Sequence, residues 1–212
     1  NEEKNIGRVI SGLFSHGCAN VVVVDDGSTD NTYSEAVKCG AVVLKHEVNR
    51  GQGAALQTGD EYALARGAEV VVHFDADGQF DPEDIVRAVQ VMSDKGVDIV
   101  LGSRFLDNRT KMPWTKQHII LPIARLINRL MTGVKLTDAH NGFRVLSRKA
   151  LEKFQITQEG MAHNSEIISL INKHNLTFIE HPVEVVYSEY GQGVGGGIKI
   201  LIDILISKII KS

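Results

Sequence analysis

Over the first half of the chain, short apolar runs alternate with longer amphipathic stretches. Val21-Val22-Val23-Val24 is an unbroken β-branched run, the pattern of a strand buried on both faces of a parallel sheet. Apolar runs over 41–45, 69–74 and 97–101 predict further strands. Between them the apolar positions recur at helical spacing. They predict helices from the turn after Asp30 to about residue 39, over 54–65, and from Pro82 to about residue 94. Pro82 suits a first helical turn, where its missing N–H costs nothing. The chain opens in a helix over 2–14, with Ile6, Val9, Ile10, Leu13 and Phe14 on one face. An α/β domain ordinarily opens with a strand, so a strand and loop before Asn1 are expected to be missing from this sequence. The rhythm predicts a wound α/β domain, with a mostly parallel central sheet flanked by helices.

After Phe105 the rhythm changes. Residues 107–115 read as a polar loop, and 118–131 as an amphipathic helix carrying Arg125 and Arg129. A polar turn from Thr137 to Gly142 leads into a short strand and helix over 143–151, a helix over 163–174 and a strand over 178–187. No linker or repeat divides the chain, so residues 1–190 read as one domain, followed by a Gly-rich loop and a C-terminal amphipathic helix over 191–212. That last helix is apolar over most of its surface, with Lys199, Asp203, Ser207 and Lys211 as a polar stripe at spacing four. It is too short to span a bilayer. It can lie in a membrane interface, pair with a second subunit in a homo-oligomer, or pack on its own domain.

Composition narrows the functions open to the chain. Its 212 residues suffice for one full core. A net charge of -3 argues against nucleic acid as a partner. Cys18 and Cys39 have no metal-ligand spacing and read as free thiols of a reducing, cytoplasmic compartment. The charged opening Asn1-Glu2-Glu3-Lys4 is no signal peptide, and the histidines form no metal-type cluster.

The chemistry collects where strands are expected to end. Asp25 and Asp26 follow the first strand, Asp75-Ala76-Asp77 the third, and Gly102-Ser103-Arg104 the fourth. An open α/β sheet would bring them to one edge, the carboxyl end where such sheets bind ligands. A bare Asp-x-Asp is common and serves equally as a turn and helix cap. Beside other acidic loops it suits a hard divalent cation, which takes one or two carboxylates and completes its shell with phosphate and water. Gln79 adds a carbonyl oxygen.

Taken in order, Asp25-Asp26-Gly27-Ser28-Thr29-Asp30, Asn49-Arg50-Gly51, Asp75-Ala76-Asp77-Gly78-Gln79, Gly102-Ser103-Arg104-Phe105 and Asp138 with Asn141-Gly142-Phe143-Arg144 resemble glycosyltransferase family 2. The likeness is to the branch of dolichyl-phosphate mannosyltransferase and the bacterial polyprenyl-phosphate glycosyltransferases. Asn1-Glu2-Glu3 resembles the tail of that family's first-strand motif. The resemblance implies the glycosyltransferase A fold and inverting transfer of a hexose-type sugar from a UDP- or GDP-sugar. The implied acceptor is a polyprenyl phosphate or a cell-envelope glycan or lipid. It implies that Glu2, Asp25, Asp26, Asn49, Arg50, Gly51, Asp75 and Ala76 border the donor nucleotide. Asp77 and Gln79, with Asp75, would hold Mg²⁺ or Mn²⁺. Arg104 and Arg125 would meet the acceptor, with Lys116 as a further cation. Asp138 would be the general base or would position the acceptor; with Arg104 it makes the expected catalytic pair.

A hydroxyl acceptor needs a base to take its proton. A lipid phosphate, already anionic, needs cations instead. The residues permit both. The Arg and Ser-Lys pair that related enzymes carry after the final strand are absent here, where the chain reads Tyr187-Ser188-Glu189-Tyr190-Gly191. His163 and Glu166 fall near acceptor-side positions of the family. Two alternatives stand beside this reading. A sugar-nucleotide nucleotidyltransferase would show a Gly-rich signature with a nearby cation, which the sequence lacks. A non-catalytic nucleotide-sugar-binding module would have no need of the intact acidic motifs. A peripheral position on the cytoplasmic face of a membrane follows from the lipid acceptor and the last helix.

Overall fold

The computed structural model describes residues 1–107, 121–160 and 162–185. Among them the chain forms α1 (Ile6–Ser15), β1 (Val22–Asp25), α2 (Thr32–Lys38), β2 (Val42–Lys45), α3 (Gln52–Ala65), β3 (Val70–His73), α4 (Glu83–Lys95) and β4 (Ile99–Ser103). There follow α5 (Leu121–Thr132), β5 (Arg144–Ser147), α6 (Arg148–Leu151), α7 (His163–Lys173) and β6 (Phe178–Pro182). Lys116, the Gly-rich segment 191–197 and the expected helix 198–211 lie outside the described residues.

β1 and β2 form a parallel pair, in register from Val22↔Val42 to Asp25↔Lys45. The second sheet has the order β3-β5-β4-β6. β4 and β6 run parallel from Ile99↔Phe178 to Ser103↔Pro182, while β5 is antiparallel to both its neighbours. The α/β architecture with parallel strands and flanking helices is therefore present, in a mixed sheet. β5 lies between β3 and β4 and runs opposite to both. Val22, Val23 and Val24 are half-buried rather than sealed on both faces, because β1 has a hydrogen-bonded neighbour on one edge only.

Alternation along β4 shows how the second sheet is covered. Ile99 and Leu101 join Leu146, Leu151, Ile167 and Ile171 in one apolar cluster. Val100 points the other way, into a cluster with Ile6, Ile10, Ile85, Phe143 and Val145. α6 and α7 thus cover one face, and α1 and α4 the other. Each fully buried aliphatic side chain stabilises this arrangement by about 1.5–3 kcal/mol.

Element boundaries are set by polar contacts. α1 begins at Ile6 because the residues before it are drawn to the 29–32 loop. Glu2 N donates to Thr32 Oγ1 at 2.6 Å, and Glu3 N to Asp30 Oδ2 at 3.2 Å. Phe14, expected on the buried face, is exposed. β4 starts later than the apolar pattern suggests, because Asp98 is held by the Thr177 amide and hydroxyl at 2.8 and 2.9 Å and by Lys149 at 3.0 Å. No helix of the described residues is long and apolar enough to cross a membrane, and both cysteines are free.

Candidate active site

The Asp75–Gln79 turn is pinned at both ends. Phe74 and Phe80 flank it, and both rings pack on the fully buried Phe143, with centroids 6.2 and 5.8 Å away. Phe74 and Phe80 also meet each other at 5.7 Å. Such tilted pairs add about 0.5–1.5 kcal/mol each beyond burial, so the acidic turn has little freedom to drift. Asp75 Oδ1 accepts from Gln52 Nε2 at 3.0 Å, at the start of α3. Its carboxylate lies directly against Gly142, where a side-chain Cβ would come within 2.8 Å of Asp75 Cγ. Burial, then the charge of Asp77, pushes the Asp75 carboxyl above its ordinary range. Burial also raises Asp77, against the Gln79 amide and helped by the charge of Glu2. Glu2, Asp75 and Asp77 therefore share one neighbourhood of like charge. Gly78, at φ 76, packs under the guanidinium of Arg8, whose Cζ would be 3.4 Å from a Cβ there.

Asp25 and Asp26, adjacent in sequence, do different things. Asp25 is buried; Oδ1 accepts from Ser28 N at 3.2 Å, and Oδ2 is buried without a hydrogen-bond partner. A buried unpaired acceptor costs about 1–3 kcal/mol. Asp26 spends its carboxylate on the 46–51 segment, accepting from Arg50 N at 2.9 Å and Gly51 N at 2.7 Å, with His46 Nδ1 at 2.7 Å. Burial works to raise Asp26, but those amides and His46 outweigh it and hold it below the usual carboxylate range. Asn49 Nδ2 donates to the Asp26 carbonyl at 3.0 Å. Asn49 and Arg50 are exposed at the rim. Gly51, at φ 91, takes a conformation few residues share, and a Cβ there would lie 2.7 Å from the Glu159 carbonyl carbon. Gly53 N donates to that same carbonyl at 3.0 Å. The Gly-rich loop is therefore shaped for packing against residues 158–159 as well as for the rim.

On the other side of the edge, Arg104 and Asp138 form a two-pronged pair. Arg104 Nε donates to Asp138 Oδ2 at 2.7 Å and Nη2 to Oδ1 at 2.8 Å, with the Arg104 amide at 3.1 Å from Oδ2. Burial acts to raise Asp138, but Arg104 prevails and holds the carboxyl below its ordinary range. A carboxylate stabilised as an anion on both oxygens is a weak proton acceptor, which weighs toward acceptor positioning between the two roles expected of Asp138. Asn141 Nδ2 reaches Asp138 Oδ2 at 3.4 Å, so the 138–142 turn touches Asp138 at one end and Asp75 at the other. Arg144, buried on β5, donates to Asn164 Oδ1 and to the Gly142 carbonyl. Burial lowers its pKa to about 10, so it stays charged beneath the turn.

Glu2 is thus near enough to Asp77 to act on its charge, and the Asn141-Gly142 turn links Asp75 to the Arg104–Asp138 pair. Asp26, Asn49, Arg50 and Gly51 form the adjoining loop. Arg125 lies on α5, its side chain outside the described atoms. His163 is buried and bonds Gly160 O at 2.8 Å, and Glu166 accepts from the amides of Thr157 and Gln158 at 2.9 and 2.8 Å; both brace a loop. Sequence reasoning missed Gln52, Arg8 and the role of Gly142. Only Gly142 carried a signal, its place beside Asn141 and Phe143. Asp75, Asp77 and the Gln79 amide oxygen are hard donors, and a divalent cation would offset the like charge that raises both carboxyls. Among the described residues no three His, Cys, Asp or Glu side chains form a self-sufficient cage. A cation here would complete its shell from phosphate or water.

Comparisons with known proteins show the family and the fold. The sequence model of Glycosyl transferase family 2 matches residues 1–155. The UDP-N-acetylglucosamine–dolichyl-phosphate N-acetylglucosaminyltransferase of Methanococcus voltae is 34% identical over 221 residues, spanning 94% of this chain and 88% of its own. The polyprenol monophosphomannose synthase of Mycolicibacterium smegmatis is 29% identical over 203 residues, spanning 90% of this chain and 76% of its own. The fold is similar to that of glucosyl-3-phosphoglycerate synthase from Mycobacterium tuberculosis, solved with Mn²⁺ and UDP-glucose. The TM-score is 0.71 at 20% identity, over 98% of this chain and 75% of that one.

Proposed function

The chain belongs to glycosyl transferase family 2, and on that premise we propose that it moves a hexose-type sugar from a nucleoside-diphosphate donor to a polyprenyl phosphate, with inversion at the anomeric carbon. The relatives named for dolichyl-phosphate and polyprenol substrates support the lipid acceptor. The observation that carries the reading is the Arg104–Asp138 pair. It offers a fixed cation in place of a ready base. A hydroxyl acceptor would need its proton taken, whereas a phosphate monoester arrives as an anion and needs an oriented cation.

The donor side follows from the acidic turn. Asp75, Asp77 and Gln79 would hold Mg²⁺ or Mn²⁺, and the Mn²⁺ and UDP-glucose in the structural neighbour support this. The cation would supply neutralising charge for the departing nucleoside diphosphate. Asp25, with one oxygen unpartnered, is the acceptor assigned to the nucleoside, beside Glu2. Asp26 orders the Asn49-Arg50-Gly51 rim. Arg104 orients the acceptor phosphate for attack on the far side of the anomeric carbon, and Asp138 keeps its fork aimed. α5 supports a lipid substrate. Ile123, Leu126 and Leu130 are 54%, 57% and 76% exposed along it. A groove of about 450 Å³ beside it is lined by Leu126, Arg129, Lys135, Leu136, Thr137 and Glu180. Exposed apolar residues beside cations suit the boundary between lipid headgroups and acyl chains.

The test is transfer from UDP-N-acetylglucosamine, UDP-glucose and GDP-mannose to a short polyprenyl phosphate in detergent with Mn²⁺. The reading expects a glycosylated lipid phosphate together with UDP or GDP from one of these donors. Sugar transfer to hydroxyl acceptors alone, or pyrophosphate formed from a nucleoside triphosphate, would contradict it.

A further inference from the structure

Glu180 is a charged residue inside β6, among Phe178, Ile179, His181 and Pro182, and the transfer reaction outlined above makes no direct use of it. Its carboxylate is nonetheless committed. Oε1 and Oε2 accept from Thr137 N at 2.8 and 3.0 Å, and Oε1 also accepts from Thr137 Oγ1 at 2.7 Å and from Asp138 N at 3.2 Å. Two consecutive backbone amides and a hydroxyl therefore converge on one anion. These bonds go to the turn, not to Arg129 or Lys135, which line the same groove.

The turn so held is the one that presents Asp138. Thr137 Oγ1 lies 2.6 Å from Ser103 Oγ, and Ser103 Oγ accepts from Phe105 N at 3.2 Å. Ser103 is thereby tied to that threonine and Phe105 to Ser103, while Arg104 between them grips Asp138. Parallel pairing sets Glu180 opposite Leu101 and Ser103 opposite Pro182, so β6 and the end of β4 move as one. A charged acceptor forms hydrogen bonds roughly twice as strong as a neutral one, which suits a carboxylate to pin the turn that carries Asp138.

We propose that Glu180 is a positioning residue for sugar transfer: through Thr137 and the Asp138 amide it fixes the aim of the Arg104 guanidinium. This deepens the acceptor side of the proposed function and rests on it for its catalytic consequence. The geometric part stands on the contacts alone.

The experiment uses the full chain with Glu180→Gln, Glu180→Asp and Thr137→Val. The Arg104 Nε–H is followed by ¹H–¹⁵N spectroscopy, assigned by its loss in Arg104→Lys. In Glu180→Gln and Thr137→Val its hydrogen exchange is expected to quicken by about tenfold or more. The Nε–H of Arg148, which bonds Glu152 at 2.9 Å, should stay as in the wild type. With the nucleotide sugar that the wild type uses, kcat for transfer to polyprenyl phosphate should fall by about tenfold to a hundredfold. The KM for that donor should hold within about twofold, because only the acceptor side has moved. Glu180→Asp, which keeps the charge, should recover part of kcat. Unchanged Arg104 exchange in folded Glu180→Gln and Thr137→Val overturns the proposal, as does a loss of kcat that merely tracks thermal stability. A wild-type chain that glycosylates no lipid phosphate sinks the transferase reading instead, and the exchange measurement still decides the role of Glu180.

Discussion

Gly142→Ala isolates the placement of Asp75 from the stability of the fold. The backbone at Gly142 is not in the left-handed region, so an alanine meets no conformational penalty there. Its Cβ, however, would stand 2.8 Å from Asp75 Cγ and 3.0 Å from Oδ1. Unstrained carbon contacts begin at about 3.5 Å, so something must retreat by most of an ångström. The turn cannot give way easily, because Phe143 beside it is fully buried against Phe74 and Phe80. The displacement falls on the Asp75 carboxylate and breaks its bond from Gln52. A shift of about 1 Å in a reacting group costs about a hundredfold in rate. The lost hydrogen bond costs about 1 kcal/mol, and replacing glycine by alanine returns about 0.4–1 kcal/mol through the unfolded chain. Steady-state transfer with Mn²⁺ should therefore drop by about two orders of magnitude, while thermal unfolding moves by only a few degrees. Gly160→Ala, at a position with nothing within 4 Å, is the control and should behave as the wild type. Gly142→Ala retaining activity within about twofold of the wild type would refute this account of how Asp75 is placed.

Three further outcomes follow from the same contacts. Asp138→Asn should cost about 2–4 kcal/mol at neutral pH, a buried partner lost from an Arg104 that is itself 23% exposed. A carboxyl held below its ordinary range adds stability above its unfolded pKa of about 4 and loses it as pH falls through the folded value. The gap between wild type and variant in urea unfolding should thus be widest near neutrality and close in acid; a gap independent of pH would contradict the lowered carboxyl. Gly53→Ala would set a Cβ 3.0 Å from both the Gln158 carbonyl carbon and His163 Cβ, and should lower the urea midpoint by the equivalent of about 1–3 kcal/mol. Phe143→Ala should cost about 3–5 kcal/mol and loosen the acidic turn, read as a loss of both stability and donor affinity.

Much of the framework was legible in the chain because the relevant signals are local. The β-branched runs, the helical spacing between them and the acids after the first and third strands are set by residues within one or two turns of each other, and the ordered motifs point to the family. What escaped depends on partners far away in sequence. The segment 143–147 reads as a strand without a direction, and only its pairing with β3 and β4 shows it antiparallel to both. Asp25 and Asp26 look equivalent until His46, Arg50 and Gly51 claim the second of them. Asp138 reads equally as a base or a positioning group until Arg104, 34 positions away, occupies both its oxygens. Glu180 lies 43 positions from Thr137, and nothing nearby in β6 marks what it holds. Gly51 reads as a nucleotide-border glycine, while the backbone that it and Gly53 accommodate, at 158–159, is a loop that no local pattern connects to them.

The most direct measurement is calorimetric titration of UDP and GDP into the wild type and Asp77→Ala, each with and without Mn²⁺. If Asp75 and Asp77 hold a cation that shares its ligands with a diphosphate, one of the nucleotides should bind the wild type at least about tenfold more tightly with Mn²⁺. That gain should vanish in Asp77→Ala while the protein remains folded. Equal affinity with and without metal, or a metal-dependent gain that survives in Asp77→Ala, would contradict it.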